Sequence, residues 1–240
     1  TIPATRISAS TTYGFSIVAW TGNGTPGATV GHGLSSAPSF HIIKQRNGTG
    51  NWVVYNSTNG ATEHMTLNTT NASSAYSGLY NDTEPTSSVI TLGNDVATNV
   101  DTNIYIAYCW AEKSGYSSFG SYSGDNTTDG SNRIYTTDDK TSTGANGFKP
   151  AMVIIKHAKD NAGSYSGDWF IYDNTRDVVD GDGYLRANLA DGQTANGGML
   201  KITEDGFALY TNSGSHNETN NDYIYAAFAD TREAAFWLDQ

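Results

Sequence analysis

The most concentrated set of candidate ligand residues is a glycine-rich acidic stretch, RDVVDGDGYL, in the second half of the chain. It contains Asp177, Asp180 and Asp182. Carboxylate oxygens at alternate positions, with glycine providing the turn, are the ligand arrangement that calcium prefers. The stretch lacks the complete Asp-x-Asp-x-Asp-Gly pattern and the distal glutamate, and a hairpin turn explains it without metal. Calcium is therefore a candidate cofactor at this stretch, with a metal-free turn as the alternative.

Carboxylates for hydrolysis are available, but their spacing does not pair them. A glycosidase needs two carboxylates on opposite sides of a cleft, and the candidates are Glu63, Glu84, Glu112, Glu204 and Glu218. The sequence has no Gly-x-Ser-x-Gly elbow, no His-Glu-x-x-His motif and no phosphate-binding glycine loop with lysine. These observations favour a non-enzymatic protein, with a polysaccharide hydrolase as the less favoured alternative.

Four residues beside turn sequences are candidates for glycan binding. Trp20 stands just before a Gly-Asn loop that contains Asn23, and Tyr122 takes the place of Trp20 in a similar segment, SYSGDNT. His32 lies in the glycine-flanked stretch VGHGL. Aromatic rings and amides at an exposed loop would suit a sugar. The alternatives are a core or rim position for the aromatic residues and an ordinary loop position for His32.

The segments that carry these residues recur in the same order. The blocks AWTGNGT, APSFHIIKQ, NWVVYNSTNG and NIYIAYCWAE are followed by SYSGDNT, FKPAMVIIKH, DWFIYDNTRD and NDYIYAAFAD. Their offset grows from 102 residues (19 to 121) to 118 residues (103 to 221). A repeat of this length is too long for a solenoid unit and has the size of a small domain. We therefore predict two homologous modules, residues 1–114 and 115–240.

Short runs of β-forming residues alternate with turns rich in glycine and asparagine. This pattern predicts an all-β fold of two tandem antiparallel β-sandwich modules packed together. The strands predicted in the first half are 15–21, 40–45, 52–56, 64–68, 89–92 and 103–111. Those predicted in the second half are 119–123, 151–157, 169–173, 183–187, 199–203, 208–211 and 223–229.

The predicted strand near residue 107 has two uncharged faces. One face carries Ile104, Ile106, Tyr108 and Trp110, and the other carries mostly small residues including Cys109. The bulky face is expected to point into the core, and the small face is expected to be covered by the other repeat or by a neighbouring chain. The lone Cys109 is expected to be a small buried hydrophobe. The aromatic residues at repeated strand positions are expected in the core.

Charge and composition exclude several classes of partner. Only 15% of the 240 residues are charged, and the formal net charge is -11. Because phosphate neutralisation needs a basic surface, this balance without a Lys/Arg cluster argues against nucleic acid as a partner. It also argues against docking to an anionic membrane surface. The chain begins at Thr1 without methionine, which a processed N-terminus or a longer parent chain would explain.

The repeated blocks resemble a β-rich module of structural proteins from marine tailed phages. The resemblance covers residues 15–230 and is carried by GNGTPGATVGHGLSSAPSFHIIKQ, YIAYCWAEKSGYSSFGSYSGDNTTDG and GFKPAMVIIK. It implies a concanavalin-A-like or jelly-roll sandwich in a tail fibre or other virion appendage, located at the particle surface. Expected partners are other virion proteins and a host surface polysaccharide. The alternative is a capsid-decoration or spacer module that binds only virion proteins.

The C-terminal segment EAAFWLDQ lies beyond the repeat. Phe236, Trp237 and Leu238 would form an adhesive patch if they were left in water. They are expected either to fold back onto their own module or to contact a neighbouring subunit. A symmetric homo-oligomer is the expected assembly, because multivalency strengthens weak single contacts.

Overall fold

A computed structural model describes residues 1–160, 167–176, 183–195 and 198–230. The chain divides into unit 1, Thr1–Glu112, and unit 2, Lys113–Gln240. The division falls after residue 112, whereas the sequence repeat predicts it after residue 114. No helix within the described ranges has the length and apolar character needed to span a bilayer.

Unit 1 contains nine strands and one short helix in its described residues. Their bounds are β1 Arg6–Ser10, β2 Phe15–Thr21, β3 Ala28–Gly31, β4 Phe40–Gln45, β5 Trp52–Asn56, β6 Glu63–Thr66, β7 Ser74–Ala75, α1 Ser77–Tyr80, β8 Val89–Leu92 and β9 Ile104–Trp110. Seven strands form one antiparallel sheet in the order β1-β2-β9-β4-β5-β6-β7, and β3 pairs with β8 in a second sheet.

Unit 2 contains nine strands in the part that the structure describes. They are β10 Ser117–Ser123, β11 Arg133–Tyr135, β12 Pro150–Asp160, β13 Trp169–Asp173, β14 Gly183–Arg186, β15 Thr194–Ala195, β16 Leu200–Thr203, β17 Gly206–Leu209 and β18 Asn221–Ala229. The larger sheet has the order β10-β18-β12-β13-β14-β15, and the smaller has the order β11-β17-β16. The fold is all-β, as the sequence predicts.

The larger sheets of the two units have corresponding strand orders. Unit 1 runs β2-β9-β4-β5-β6-β7 where unit 2 runs β10-β18-β12-β13-β14-β15. Trp52 pairs with Lys44 on the neighbouring strand, and Trp169 pairs with Lys156 in the same way. The matched register is the geometry that a duplicated module would have. That the units arose by duplication stays a prediction.

Each unit buries its core between its larger and its smaller sheet. In unit 1, side chains of β2, β4, β5 and β9 join those of β3 and β8 in one buried cluster. In unit 2, side chains of β12, β13 and β18 join those of β11, β16 and β17. Two sheets packed face to face bury alternate residues of each strand.

The prediction for the faces of β9 is wrong. Tyr105, Ala107 and Cys109 are completely buried, whereas Tyr108 and Trp110 on the opposite face are only half-buried. Small residues suffice in the core because neighbouring strands supply the bulk beside them: Ala107 is the register partner of both Val18 and Ile43. Cys109 is a buried hydrophobe as predicted, and burial raises the pKa of its thiol to about 12.

A buried amide ties together the loops at one end of unit 1. The Nδ2 of Asn99 donates hydrogen bonds to the carbonyl oxygens of Thr25 at 3.0 Å and Gly93 at 2.9 Å. Its Oδ1 accepts the backbone N–H of Asn23 at 2.9 Å. A buried side-chain amide that lacked these partners would lose its hydration without replacement. The three bonds therefore fix the path of the 93–99 segment.

Unit 2 repeats this arrangement at Asn217. Its Nδ2 donates to the carbonyl oxygen of Thr127 at 2.8 Å, and its Oδ1 accepts the backbone N–H of Asp125 at 3.1 Å. In each unit a buried tyrosine also bonds the segment just before this asparagine. The hydroxyl of Tyr105 donates to the carbonyl oxygen of Val96 at 3.0 Å, and that of Tyr223 donates to Gly214 at 2.9 Å.

His41 is a buried titratable residue without a hydrogen-bond partner among the described residues. It is 1% exposed, its ring stacks on Tyr55 at a centroid distance of 4.6 Å, and Tyr80 meets it edge-on at 5.3 Å. Burial, with a smaller contribution from the charge of His32, lowers the pKa of His41 to about 3. The ring is therefore neutral in the folded protein at neutral pH.

We expect His41 to make unit 1 acid-sensitive. Below pH 6.5 the unfolded chain binds a proton at this residue and the folded chain does not. The free energy of unfolding therefore decreases as the pH is lowered from 6.5 to about 3. At pH 5 the loss is about 2 kcal/mol, since each pKa unit corresponds to about 1.4 kcal/mol. His41→Phe should abolish this part of the difference in free energy of unfolding between pH 7.5 and pH 5.

The measurement is denaturant unfolding followed by the reaction of Cys109 with dithiodipyridine, because this buried thiol reports on unit 1. Tyr80→Phe is the matched control: it removes a neighbouring buried hydroxyl but no group that titrates in this range. It should keep the wild-type pH dependence. Equal acid sensitivity of wild type and His41→Phe would contradict the assignment.

Candidate functional site

The two predicted glycan-binding aromatic residues are packed inside their own units. Trp20 is 1% exposed, stacks on Tyr105 at 5.6 Å and donates its indole N–H to the carbonyl oxygen of Thr98 at 3.3 Å. Tyr122 stacks on Tyr223 at 5.0 Å, and its hydroxyl is likewise hydrogen-bonded. Of the two alternatives for Trp20, the core position is therefore confirmed, because the indole fills space in the core of unit 1.

His32 and Asn23 have local structural roles. His32 is fully buried: its Nδ1 accepts the backbone N–H of Leu34 at 3.1 Å, and its Nε2 bonds the carbonyl oxygen of Thr86 at 3.1 Å. Burial lowers the pKa of His32. Asn23 is exposed, but its Oδ1 accepts the backbone N–H of Thr25 at 3.0 Å. Neither ring nitrogen of His32 is left for a ligand.

Two further sets of predicted site residues lie outside the described residues. These are the calcium candidates Asp177, Asp180 and Asp182, and the contact candidates Phe236, Trp237 and Leu238. Both assignments stay predictions. Within the described ranges, no three His, Cys, Asp or Glu side chains are grouped to hold a metal ion.

The structure does assemble one cleft that suits a small polar ligand. This Tyr76 cleft has a volume of about 330 Å³ and lies in unit 1, between the β5–β6 edge, the start of α1 and the 95–97 loop. Its lining residues are Gly50, Asn51, Val53, His64, Thr66, Tyr76, Leu79, Asp95, Val96 and Ala97. The volume is within the range of small-ligand sites.

Tyr76 presents an aromatic ring at the mouth of the cleft. Its residue is 48% exposed and stands immediately before α1 with extended backbone angles. The ring lies over Gly78, where a Cβ atom would come within 2.5 Å of the tyrosine Cζ, so the glycine makes room for it. The phenol hydroxyl donates to the Oδ2 of Asp95 at 3.1 Å. This hydrogen bond raises the pKa of Tyr76.

The carboxylate of Asp95 is held in place by the loop that it begins. Its Oδ1 accepts the backbone N–H of Ala97 at 2.8 Å, and its carbonyl oxygen accepts the N–H groups of Thr98 and Asn99 at 3.0 and 2.9 Å. Because Asn99 is the buried amide that joins the loops, the carboxylate is oriented by the core. The cleft therefore has a fixed hydrogen-bond acceptor beside its aromatic ring.

His64 and Asn51 complete the polar lining. The Nδ1 of His64 lies 2.9 Å from the carbonyl oxygen of Ser74, so Nδ1 carries the proton and Nε2 is the acceptor of the neutral ring. Burial lowers the pKa of His64, while the Ser74 carbonyl and Asp95 oppose that effect. The Oδ1 of Asn51 accepts from Asn68 at 2.9 Å, and its own amide nitrogen is a donor.

The corresponding surface of unit 2 has different chemistry. By strand register, Asp168 takes the place of Asn51 and Arg186 takes the place of Thr66. Arg186 forms ion pairs with Asp168 at 3.2 Å and with Asp191. Its charge is therefore neutralised within the unit. No sequence signal marks the Tyr76 cleft, because its residues come from four separate segments of the chain.

Comparison with protein families gives one match. A family model described as a domain of unknown function, DUF7483, matches residues 1–232. The chain belongs to this family. The DUF7483 match extends across residues of both units. No curated protein and no solved structure matches the chain.

A chain of buried hydroxyls in this DUF7483 member could be mistaken for a catalytic triad. Tyr172, His216 and Ser215 are joined by hydrogen bonds of 2.7 Å at His216 Nε2 and 2.7 Å at Nδ1. The Tyr172 hydroxyl finds its acceptor, among the described residues, at Nε2. Nδ1 then carries the proton and donates to Ser215, which is the reverse of what a general base does. Burial also lowers the pKa of His216 to about 3.

We therefore expect Ser215 to be unreactive. A fluorophosphonate probe for activated serines should leave the protein unlabelled under conditions that fully label a serine esterase. Intact-mass spectrometry gives the extent of labelling. Labelling that disappears in Ser215→Ala would show that the relay activates the serine and would reopen the hydrolase hypothesis.

Proposed function

We propose that this protein is a non-enzymatic glycan-binding module on the surface of a tailed-phage particle, in a tail fibre or related appendage. The observation that carries the glycan-binding proposal is the Tyr76 cleft. There an exposed aromatic ring, a fixed carboxylate, an amide and an imidazole line one concave surface. The proposed ligand is a polysaccharide of the host surface.

The cleft has the donors and acceptors that sugar hydroxyl groups need. Asp95 and the neutral ring of His64 are acceptors, and the amide of Asn51 is a donor. The aromatic face of Tyr76 can pack against the apolar C–H face of a pyranose ring. The ring packs over Gly78 and its hydroxyl bonds Asp95, so its position is restricted before a ligand arrives. A pre-ordered site loses less entropy on binding.

Binding suits this lining better than hydrolysis. Asp95 is the one carboxylate among the described lining residues, whereas glycoside hydrolysis requires two carboxyl groups flanking the bond. Both oxygens of Asp95 also already accept a hydrogen bond within the protein, one from the Ala97 backbone N–H and the other from the Tyr76 hydroxyl. The proposal of a virion location rests on the resemblance of the repeated blocks, and a homo-oligomer would add avidity to single weak sites.

The decisive test is a glycan array with wild type and Tyr76→Ala. Wild type should bind a subset of bacterial surface glycans, and Tyr76→Ala should lose at least about tenfold in affinity, corresponding to about 1.4 kcal/mol. Tyr13→Ala is the matched control, because Tyr13 is also in unit 1 and is 56% exposed but does not line the cleft. It should bind as wild type does.

Three results would overturn the proposal. Equal binding by Tyr76→Ala and wild type would move the site elsewhere. No retention of any host glycan, with gold-labelled antibodies placing the chain at contacts between capsid proteins, would instead support the decoration or spacer alternative. Release of reducing sugar from host polymer would support a hydrolase.

A further inference from the structure

A second concave surface lies on the outer face of the larger sheet of unit 1. This Arg6–Arg46 groove has a volume of about 540 Å³. It is lined by Thr5, Arg6, Ser8, Ile17, Ala19, Arg46 and Ile106. None of these residues belongs to the Tyr76 cleft, which has its own lining. The groove is therefore a separate candidate site.

Strand register places the two arginines on one face. Arg6 pairs with Ala19, Ala19 pairs with Ile106, and Ile106 pairs with Lys44. Arg46 follows Lys44 by two residues and therefore lies on the same side, since side chains alternate along a strand. Three strand spacings of about 4.8 Å separate the two arginine-bearing segments by roughly 14 Å. The floor between them is apolar.

The two arginines differ from the other described arginines in having no ion-pair partner. Arg133 pairs with Asp205, Arg176 with Asp173, and Arg186 with Asp168. Arg6 and Arg46 are exposed, and neither has a carboxylate within salt-bridge distance in the described part of the chain. The protein has 24 acidic and 13 basic residues, and both of these arginines line the same groove.

We propose that the Arg6–Arg46 groove binds an acidic polysaccharide, carrying carboxylate or sulfate groups. A planar guanidinium can donate two parallel hydrogen bonds to a carboxylate or sulfate. Ile17 and Ile106 can pack against the apolar faces of the sugar rings, and the hydroxyls of Thr5 and Ser8 can bond sugar hydroxyls. This proposal does not depend on the Tyr76 cleft, and the expected ligand carries negative charge.

The groove dimensions favour a polysaccharide over a protein partner. Its volume falls within the range of small-ligand sites. A stable protein interface buries more than about 1,000 Å² of surface, which needs more than the seven residues that line this groove. A chain with a net charge of -11 repels acidic ligands in general. The local pair of arginines is therefore the element that would permit binding, and the interaction should weaken as salt rises.

The test compares acidic polymers with their neutral counterparts: dextran sulfate with dextran, and polygalacturonate with its methyl ester. Wild type should bind at least one acidic polymer at least about tenfold more tightly than its neutral form. Arg6→Gln/Arg46→Gln should remove that preference. Arg133→Gln/Lys201→Gln is the control, because it changes the net charge equally but alters unit 2. It should retain wild-type affinity.

Failure of this proposal is distinguishable from failure of the Tyr76 cleft. Tyr76→Ala should leave binding of the acidic polymer unchanged, and the arginine variant should leave binding of neutral glycans unchanged. No preference for either acidic polymer, or an equal loss in the control, would overturn the proposal. So would a change of oligomeric state in the arginine variant by analytical ultracentrifugation, because the groove would then be a contact between copies.

Discussion

A buried amide needs hydrogen-bond partners for its donors and its acceptor, and this requirement at Asn99 determines the loop end of unit 1. Bonds from Asn99 to Thr25, Gly93 and Asn23 join loops that are distant in sequence. The same residue donates its backbone N–H to the carbonyl oxygen of Asp95. Core packing is thereby linked to the carboxylate of the Tyr76 cleft, because the buried Asn99 and the carboxylate belong to the same hydrogen-bonded loop.

The two units use one loop design to present different surfaces. In unit 2 the amide of Asn217 makes the equivalent bonds, and Ser213 stands where unit 1 has Asp95. Both side chains accept a backbone N–H two residues later, so the turn is kept. The carboxylate, however, is present only in the first. A change at such a position alters the surface chemistry at little cost to the fold.

The few charged residues of the chain are arranged differently in the two units. The described arginines of unit 2 are neutralised by neighbouring aspartates, whereas Arg6 and Arg46 of unit 1 face solvent. Ion pairs near the surface add little stability, but they leave the unit 2 arginines with little free charge for a ligand. Unpaired arginines over an apolar floor can instead exchange water for an anionic ligand.

The sequence by itself determined the all-β class, the repeated order of strands and the burial of Cys109, because alternation and turn residues are local signals. It located β2, β4, β5, β8 and β13 to the residue. It missed the edge strands β1, which is mostly exposed and has only Ile7 and Ala9 as apolar residues, and β7, which has two residues. Only the tertiary structure decided which face of β9 is buried and that Trp20 lies in the core. It alone brought the cleft residues together. The physical reason is that the burial of a side chain and the shape of a cleft depend on residues from distant segments that pack against it. A local sequence pattern does not contain that information.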